Sequence, residues 1–98
     1  PRVFVAALGE VAEVDAMRHA ERLRGAGVDV QVNCGQGNLK KQLRRADNSN
    51  AEVAVIIDEE VAGTPTVKVK PLRGQGEQST VSVNDLLASV QAITDSSN

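Results

Sequence analysis

Val3-Phe4-Val5-Ala6-Ala7-Leu8-Gly9 decides the fold: an unbroken apolar run closed by a glycine, near the start of a 98-residue chain. A strand with no polar face to give to water must be buried on both sides, as the central strands of helix-covered sheets are. Val53-Ala54-Val55-Ile56-Ile57 repeats the pattern and predicts a second central strand. Between the two, the period changes to that of a helix. From Glu10 to Gly25, Ala12, Ala16, Ala20 and Leu23 share a stripe, while Glu10, Glu13 and Asp15 sit early, where the helix dipole favours acids. Gly25-Ala26-Gly27 stops this helix. Val28, Val30 and Val32 then alternate with Asp29, Gln31 and Asn33, the pattern of a half-exposed strand at or near a sheet edge.

A second helix is expected from Leu39 to the turn cluster Asp47-Asn48-Ser49-Asn50. After the acids Asp58-Glu59-Glu60 and the turn Gly63-Thr64-Pro65, Thr66-Val67-Lys68-Val69-Lys70 alternates cleanly. Past Arg73-Gly74-Gln75-Gly76, the segment from Gln78 to Val83 can return as its hairpin partner. The last helix is expected to open at Asn84-Asp85 and carries Leu86, Val90 and Ile93 on one stripe, with Asp95-Ser96-Ser97-Asn98 as a frayed tail. The fold class is therefore α/β: a three-layer arrangement with three helices on a five-stranded mixed sheet. Its first three strands are parallel through right-handed crossovers, and a hairpin is added at one edge. Residues 1–94 form one domain.

Composition narrows the function. Thirteen acids against eleven Lys and Arg give a net charge of −2, so any nucleic-acid contact must be local rather than a property of overall charge. One cysteine, Cys34, excludes an internal disulfide framework, and no apolar run reaches the length of a signal or membrane segment; a cytoplasmic location is expected. The opening Pro1-Arg2-Val3 enters a strand-like run without an initiator Met, which predicts a domain of a larger, multidomain parent. With Phe4 as its one aromatic residue, the chain has no platform for base stacking.

Catalysis finds little to work with. His19 lies beside the alanine stripe of the first helix with no acid placed to orient it, and a structural or surface role is expected. A single His and a single Cys make no metal-ligand spacing, so no metal site is expected. Gly35-Gln36-Gly37 begins like a dinucleotide fingerprint, but Lys40 stands where its third glycine belongs. Asp58-Glu59-Glu60 ends a parallel strand, where open α/β sheets place ligands. A phospho-receiver would also need acids after the first strand, and Ala6-Ala7-Leu8 stands there instead. Glu60 can instead accept hydrogen bonds from the Watson–Crick edge of an exposed guanine.

The segment from Gly35 to Asp47 carries the chemistry. On a helical wheel Leu39, Leu43 and Ala46 form an apolar stripe, and Lys40, Lys41, Arg44 and Arg45 lie roughly 100° to 240° away from it. Four cations on so short a face repel unless an anion lies nearby, and phosphate is the natural partner.

Together with the opening Val3 to Glu10, the segment from Gly37 to Asp47 resembles the C-terminal anticodon-binding domain of histidyl-tRNA synthetase, a class IIa aminoacyl-tRNA synthetase. The likeness continues through Val53 to Ile57, Asp58-Glu59-Glu60-Val61, Val67-Lys68-Val69-Lys70 and Gly76-Glu77-Gln78, in the family's order. The resemblance implies a non-catalytic domain that positions tRNA for an ATP-dependent ligase core outside this chain. ATP and a divalent cation would serve that core, and the parent would be a homodimer. It also implies that Gln36, Asn38, Glu60 and Lys70 meet the anticodon loop. To these, charge and placement add Lys40, Lys41, Arg44, Arg45 and Arg73 as phosphate contacts. Arg44-Arg45 and Gly63-Thr64-Pro65-Thr66 depart from the family's usual residues. Two other readings are open: the equivalent domain of a synthetase-like regulatory subunit of histidine biosynthesis, and an interaction module that uses the sheet to dimerise.

Overall fold

The computed structural model describes residues 2–34, 38–74 and 76–96. Its elements run β1 (Val3–Ala7), α1 (Glu10–Gly25), β2 (Val30–Cys34), α2 (Leu39–Asn48), β3 (Val53–Ile57), β4 (Thr66–Pro71), β5 (Ser79–Ser82), a 3-10 turn (Val83–Asp85) and α3 (Leu86–Ser96). The sheet order is β2-β1-β3-β4-β5. β1 pairs in parallel with β2 and β3, while β4 and β5 follow antiparallel, so the expected mixed sheet with an added hairpin is what forms. Both unbroken apolar strands are buried at every residue, and the alternating β2 stands at an edge.

The two faces of the sheet are covered unequally. One face joins Val3, Val5, Val53, Val55, Val67 and Val69 to the α1 stripe of Ala12, Ala16, Ala20 and Leu23, and to Leu86 and Val90 of α3. The other face is smaller: Phe4 and Ala6 meet Ala46 of α2, with Ala51 and Leu72 beside them. Helix α2 lies over β1, and among the described residues no helix covers the polar side of β4 and β5. This bare half-face, flanked by α2, is the frame of the site.

Three details differ from the expected elements. The last helical segment starts earlier than Asn84, because the Ser82 side chain accepts from Asn84 N and caps a 3-10 turn ahead of α3. Helix α3 runs to Ser96, so Asp95 and Ser96 belong to it rather than to a frayed tail. The buried residues of α2 are Gln42 and Ala46, whereas Leu39 and Leu43 are only half-buried. Among the described residues no helix is long and apolar enough to cross a membrane.

Gly9 makes the sharp turn from β1 into α1 at φ +98° and ψ 166°, a region essentially reserved for glycine. A Cβ there would meet nothing within 4 Å, so the penalty of a side chain is conformational alone. Gly9→Ala is expected to lower the unfolding free energy by about 1–2 kcal/mol, read from urea denaturation. An unchanged midpoint would show that the turn relaxes freely.

Candidate nucleic-acid interface

The carboxyl ends of β1, β2 and β3 share one edge of the sheet, and the site begins there. α1 leaves β1 on one face and α2 enters from β2 on the other, which makes the crevice between β1 and β3 the switch point where open α/β sheets take ligands. Leu8 N donates to Ile57 O at 3.0 Å and holds the two strand ends together. Above them lies an open cleft of about 480 Å3 lined by Leu8, Gly9, Asp58, Glu59 and Glu60.

The acidic turn is organised by a lysine. Lys68 Nζ lies 2.6 Å from Asp58 Oδ2 and 2.8 Å from Glu60 Oε2, while Glu60 N donates to Asp58 Oδ1 at 3.1 Å. Its register partner is Ile56, which sets Lys68 on the α2 side of the sheet beside the acids. The side-chain hydrogen bonds to Asp58 and then Glu60 raise the Lys68 pKa above its usual 10.5. Glu60 therefore reaches the cleft with one oxygen engaged, yet its side chain stays 78% exposed and open to a further donor. Lys68 is the residue here that no sequence pattern singles out, while Glu59, part of the acidic turn, lines the cleft without a partner among the described residues. Alternation put Lys68 on a polar strand face, but only the strand register brings it to the acids.

A group whose folded pKa is raised contributes stability that is fully present below its unfolded value and is lost as pH climbs through the folded one. Wild-type chain should therefore lose stability above pH 10.5 more steeply than Lys68→Met, as thermal melts across the alkaline range would show. Parallel curves for the two proteins would mean that the ion pairs contribute nothing.

Helix α2 forms the second wall. Asn38 caps it, its Oδ1 accepting from Lys41 N at 2.9 Å, so this side-chain oxygen is committed to the helix and the amide NH2 is what remains to donate outward. The first turn contains no acid and instead carries Lys40 and Lys41 at the positive end of the helix dipole. That placement costs helix stability and concentrates positive potential where backbone N–H groups already favour anions. Lys40, Lys41, Arg44 and Arg45 are all exposed, as the helical wheel required. Lys70, opposite Ala54 in register, rises half-buried from the same side of the sheet and makes no ion pair among the described residues.

Arg73 is placed differently from expectation. Its guanidinium holds the Asp47 carboxylate and donates to Asp47 O at 2.7 Å, tying the end of β4 to the end of α2 at the opposite edge of the sheet from the acidic turn. It is a brace for α2 rather than a member of the cationic face. Gln36 lies outside the described residues. The structure thus gathers Asn38, Lys40, Lys41, Glu60 and Lys70 around α2 and the bare sheet face, extends the set along α2 with Arg44 and Arg45, and separates Arg73 from it.

A sequence family described as the anticodon binding domain matches residues 2–93. The chain belongs to that family. The domain is 46% identical over 90 residues to a histidine–tRNA ligase of Aromatoleum aromaticum, covering 92% of this chain and 20% of that protein. It is 44% identical over 81 residues to one of Thiobacillus denitrificans, covering 83% of this chain and 19% of that protein. The solved histidyl-tRNA synthetase of Nostoc sp. PCC 7120 superposes with a TM-score of 0.83 at 27% identity, over 93% of this chain and 22% of that one. The domain therefore spans about a fifth of the length of these relatives, and its α/β architecture is the one they share.

Proposed function

We propose that this domain reads the anticodon loop of histidine tRNA for an ATP-dependent histidine–tRNA ligase. The observation that carries the reading is the juxtaposition of an exposed cationic helix with a carboxylate-lined cleft at the switch point of the sheet. Lys40, Lys41, Arg44 and Arg45 would hold loop phosphates and set register. Glu60 would accept from the edge of a splayed base, with Lys70 and the Asn38 amide donating alongside it. Hydrogen bonds to base edges need no aromatic platform, so a chain whose one aromatic residue is the buried Phe4 can still read sequence. No group here would touch the aminoacylation chemistry. ATP and a divalent cation would act in the ligase core, in a cytoplasmic homodimer built through the parent. The ligase relatives favour this reading over a regulatory subunit.

Fluorescence anisotropy with histidine tRNA, and with the same tRNA carrying a replaced anticodon, tests the proposal at low and moderate salt. Salt-sensitive binding that weakens on replacement is the expected result. Binding that ignores the replacement would leave only a nonspecific cationic patch and overturn the reading.

A further inference from the structure

The opposite face of the sheet carries a second polar cleft, of about 270 Å3, that anticodon reading does not use. Asp15, Arg18, His19 and Arg22 of α1 form one wall, and residues 63–65 with Val83 and Asn84 form the other. Two hydrogen bonds fix the second wall: Asp15 Oδ2 accepts from Gly63 N at 2.8 Å, and Val83 N donates to Pro65 O at 2.9 Å. Gly63 stands at φ +75°, where a Cβ would come within 3.4 Å of Val11 Cγ1, so the turn passes close against α1.

The donors facing this cleft are unspent. Arg18 and Arg22 lie one helical turn apart, both exposed, and neither has an ion-pair partner among the described residues. Like charges at this spacing repel. The Asn84 backbone N–H is taken by Ser82 Oγ, but its exposed side-chain amide has no partner among the described residues. Thr64 is not available, because its hydroxyl donates to Val61 O and is shared with Thr66. Behind the arginines sits His19, 4% exposed, with a buried Nδ1 that makes no hydrogen bond. A buried polar atom without a partner is rare enough to require a reason. Asp15, the one acid among the described residues lining the cleft, is already engaged by Gly63 and offsets one arginine at most.

We propose that this cleft binds a phosphate group, gripped by the Arg18 and Arg22 guanidiniums and the Asn84 amide, with the His19 imidazole as the polar group behind them. Two guanidinium forks match a phosphate's oxygens better than any single-point cation would, and the anion relieves their mutual repulsion. The inference stands independently of the function proposed above.

His19 also supplies the reporter. Burial lowers its pKa below 6.5; Asp15 raises it, and Arg22 and Arg18 lower it further. Gly63, Thr64, Pro65, Val83 and Asn84 on the facing wall bring no charge. A bound phosphate would counter both arginines and should raise the His19 pKa, as an opposite charge at close range does.

Because the chain holds a single histidine, its imidazole resonances are unambiguous by NMR. The 98-residue chain would be titrated with inorganic phosphate against sodium chloride at equal ionic strength, and in a second arm with a single-stranded RNA lacking terminal phosphates. Saturable movement of the His19 signals with phosphate, a raised pKa, and loss of both in the doubly substituted Arg18→Gln, Arg22→Gln chain at an unchanged melting temperature are expected. A response to phosphate alone assigns a free phosphorylated molecule, and a response to RNA assigns a backbone phosphodiester; either supports the site. RNA held on α2 leaves His19 untouched, being on the other face. No response to either probe beyond chloride, or a response that survives the double substitution, overturns the proposal.

Discussion

Replacing Lys40, Lys41, Arg44 and Arg45 together by glutamine is expected to remove most of the affinity for tRNA while leaving thermal unfolding nearly unchanged. All four side chains are exposed on α2, and surface substitutions away from caps and packing usually change stability by no more than about 0.5 kcal/mol. The cap at Asn38 and the packed Ala46 are untouched. If each cation meets one phosphate of a single-stranded loop, the log–log salt slope should flatten by about 2.8. That corresponds to about fifty-fold less salt sensitivity between roughly 50 and 200 mM. A variant that binds tRNA with wild-type affinity and slope would place the interface elsewhere.

The largest expected effect on stability belongs to Gln42. This side chain is fully buried under α2, and its Nε2 donates to Ala7 O at 3.0 Å, at the last residue of the central strand. The bond joins the cationic helix to the strand end that floors the cleft, so it fixes one wall of the site against the other. Gln42→Ala removes a large buried side chain and leaves a backbone carbonyl without its donor. Together these should cost about 3 kcal/mol, or a fall in Tm of roughly 12–24 °C for a domain of this size. Gln42→Leu restores the volume but not the bond and should lose only about 1–2 kcal/mol. Equal losses in the two variants would assign the whole effect to the missing donor; a negligible loss in both would mean that α2 is held by its other contacts alone.

Gln42 also marks where the sequence stopped being readable. Strands β1 and β3 were legible because an unbroken apolar run has one physical meaning, and β2 and β4 because strict alternation has another. The α2 wheel assigned burial by hydrophobicity and chose Leu39 and Leu43, yet a glutamine turned inward because the end of β1 offers it a carbonyl. No local pattern announces such a partner, which lies 35 residues away in sequence. Lys68 was hidden for the same reason, since its two acids reach it across the β3–β4 register. Charge alone makes Arg73 one more phosphate contact, although its guanidinium is occupied by Asp47 from the end of α2. The exposed cations of α2 were legible because charge and helical period suffice to place them. His19 is expected to be structural or exposed; it is buried, one turn from Ala16 and from Leu23 on the apolar stripe of α1, where helical period alone places it.

One surface, built from α2, the bare polar face of β4 and β5, and the acidic turn after β3, is proposed to receive the anticodon loop. Backbone amide shifts on addition of a histidine anticodon stem-loop test it most directly. Perturbation is predicted at Asn38, Lys40, Lys41, Arg44, Glu59, Glu60 and Lys70, with Val11, Val14, Met17 and Ala92 unmoved on the opposite helices. Shifts centred on α1 and α3, with α2 silent, would contradict the account.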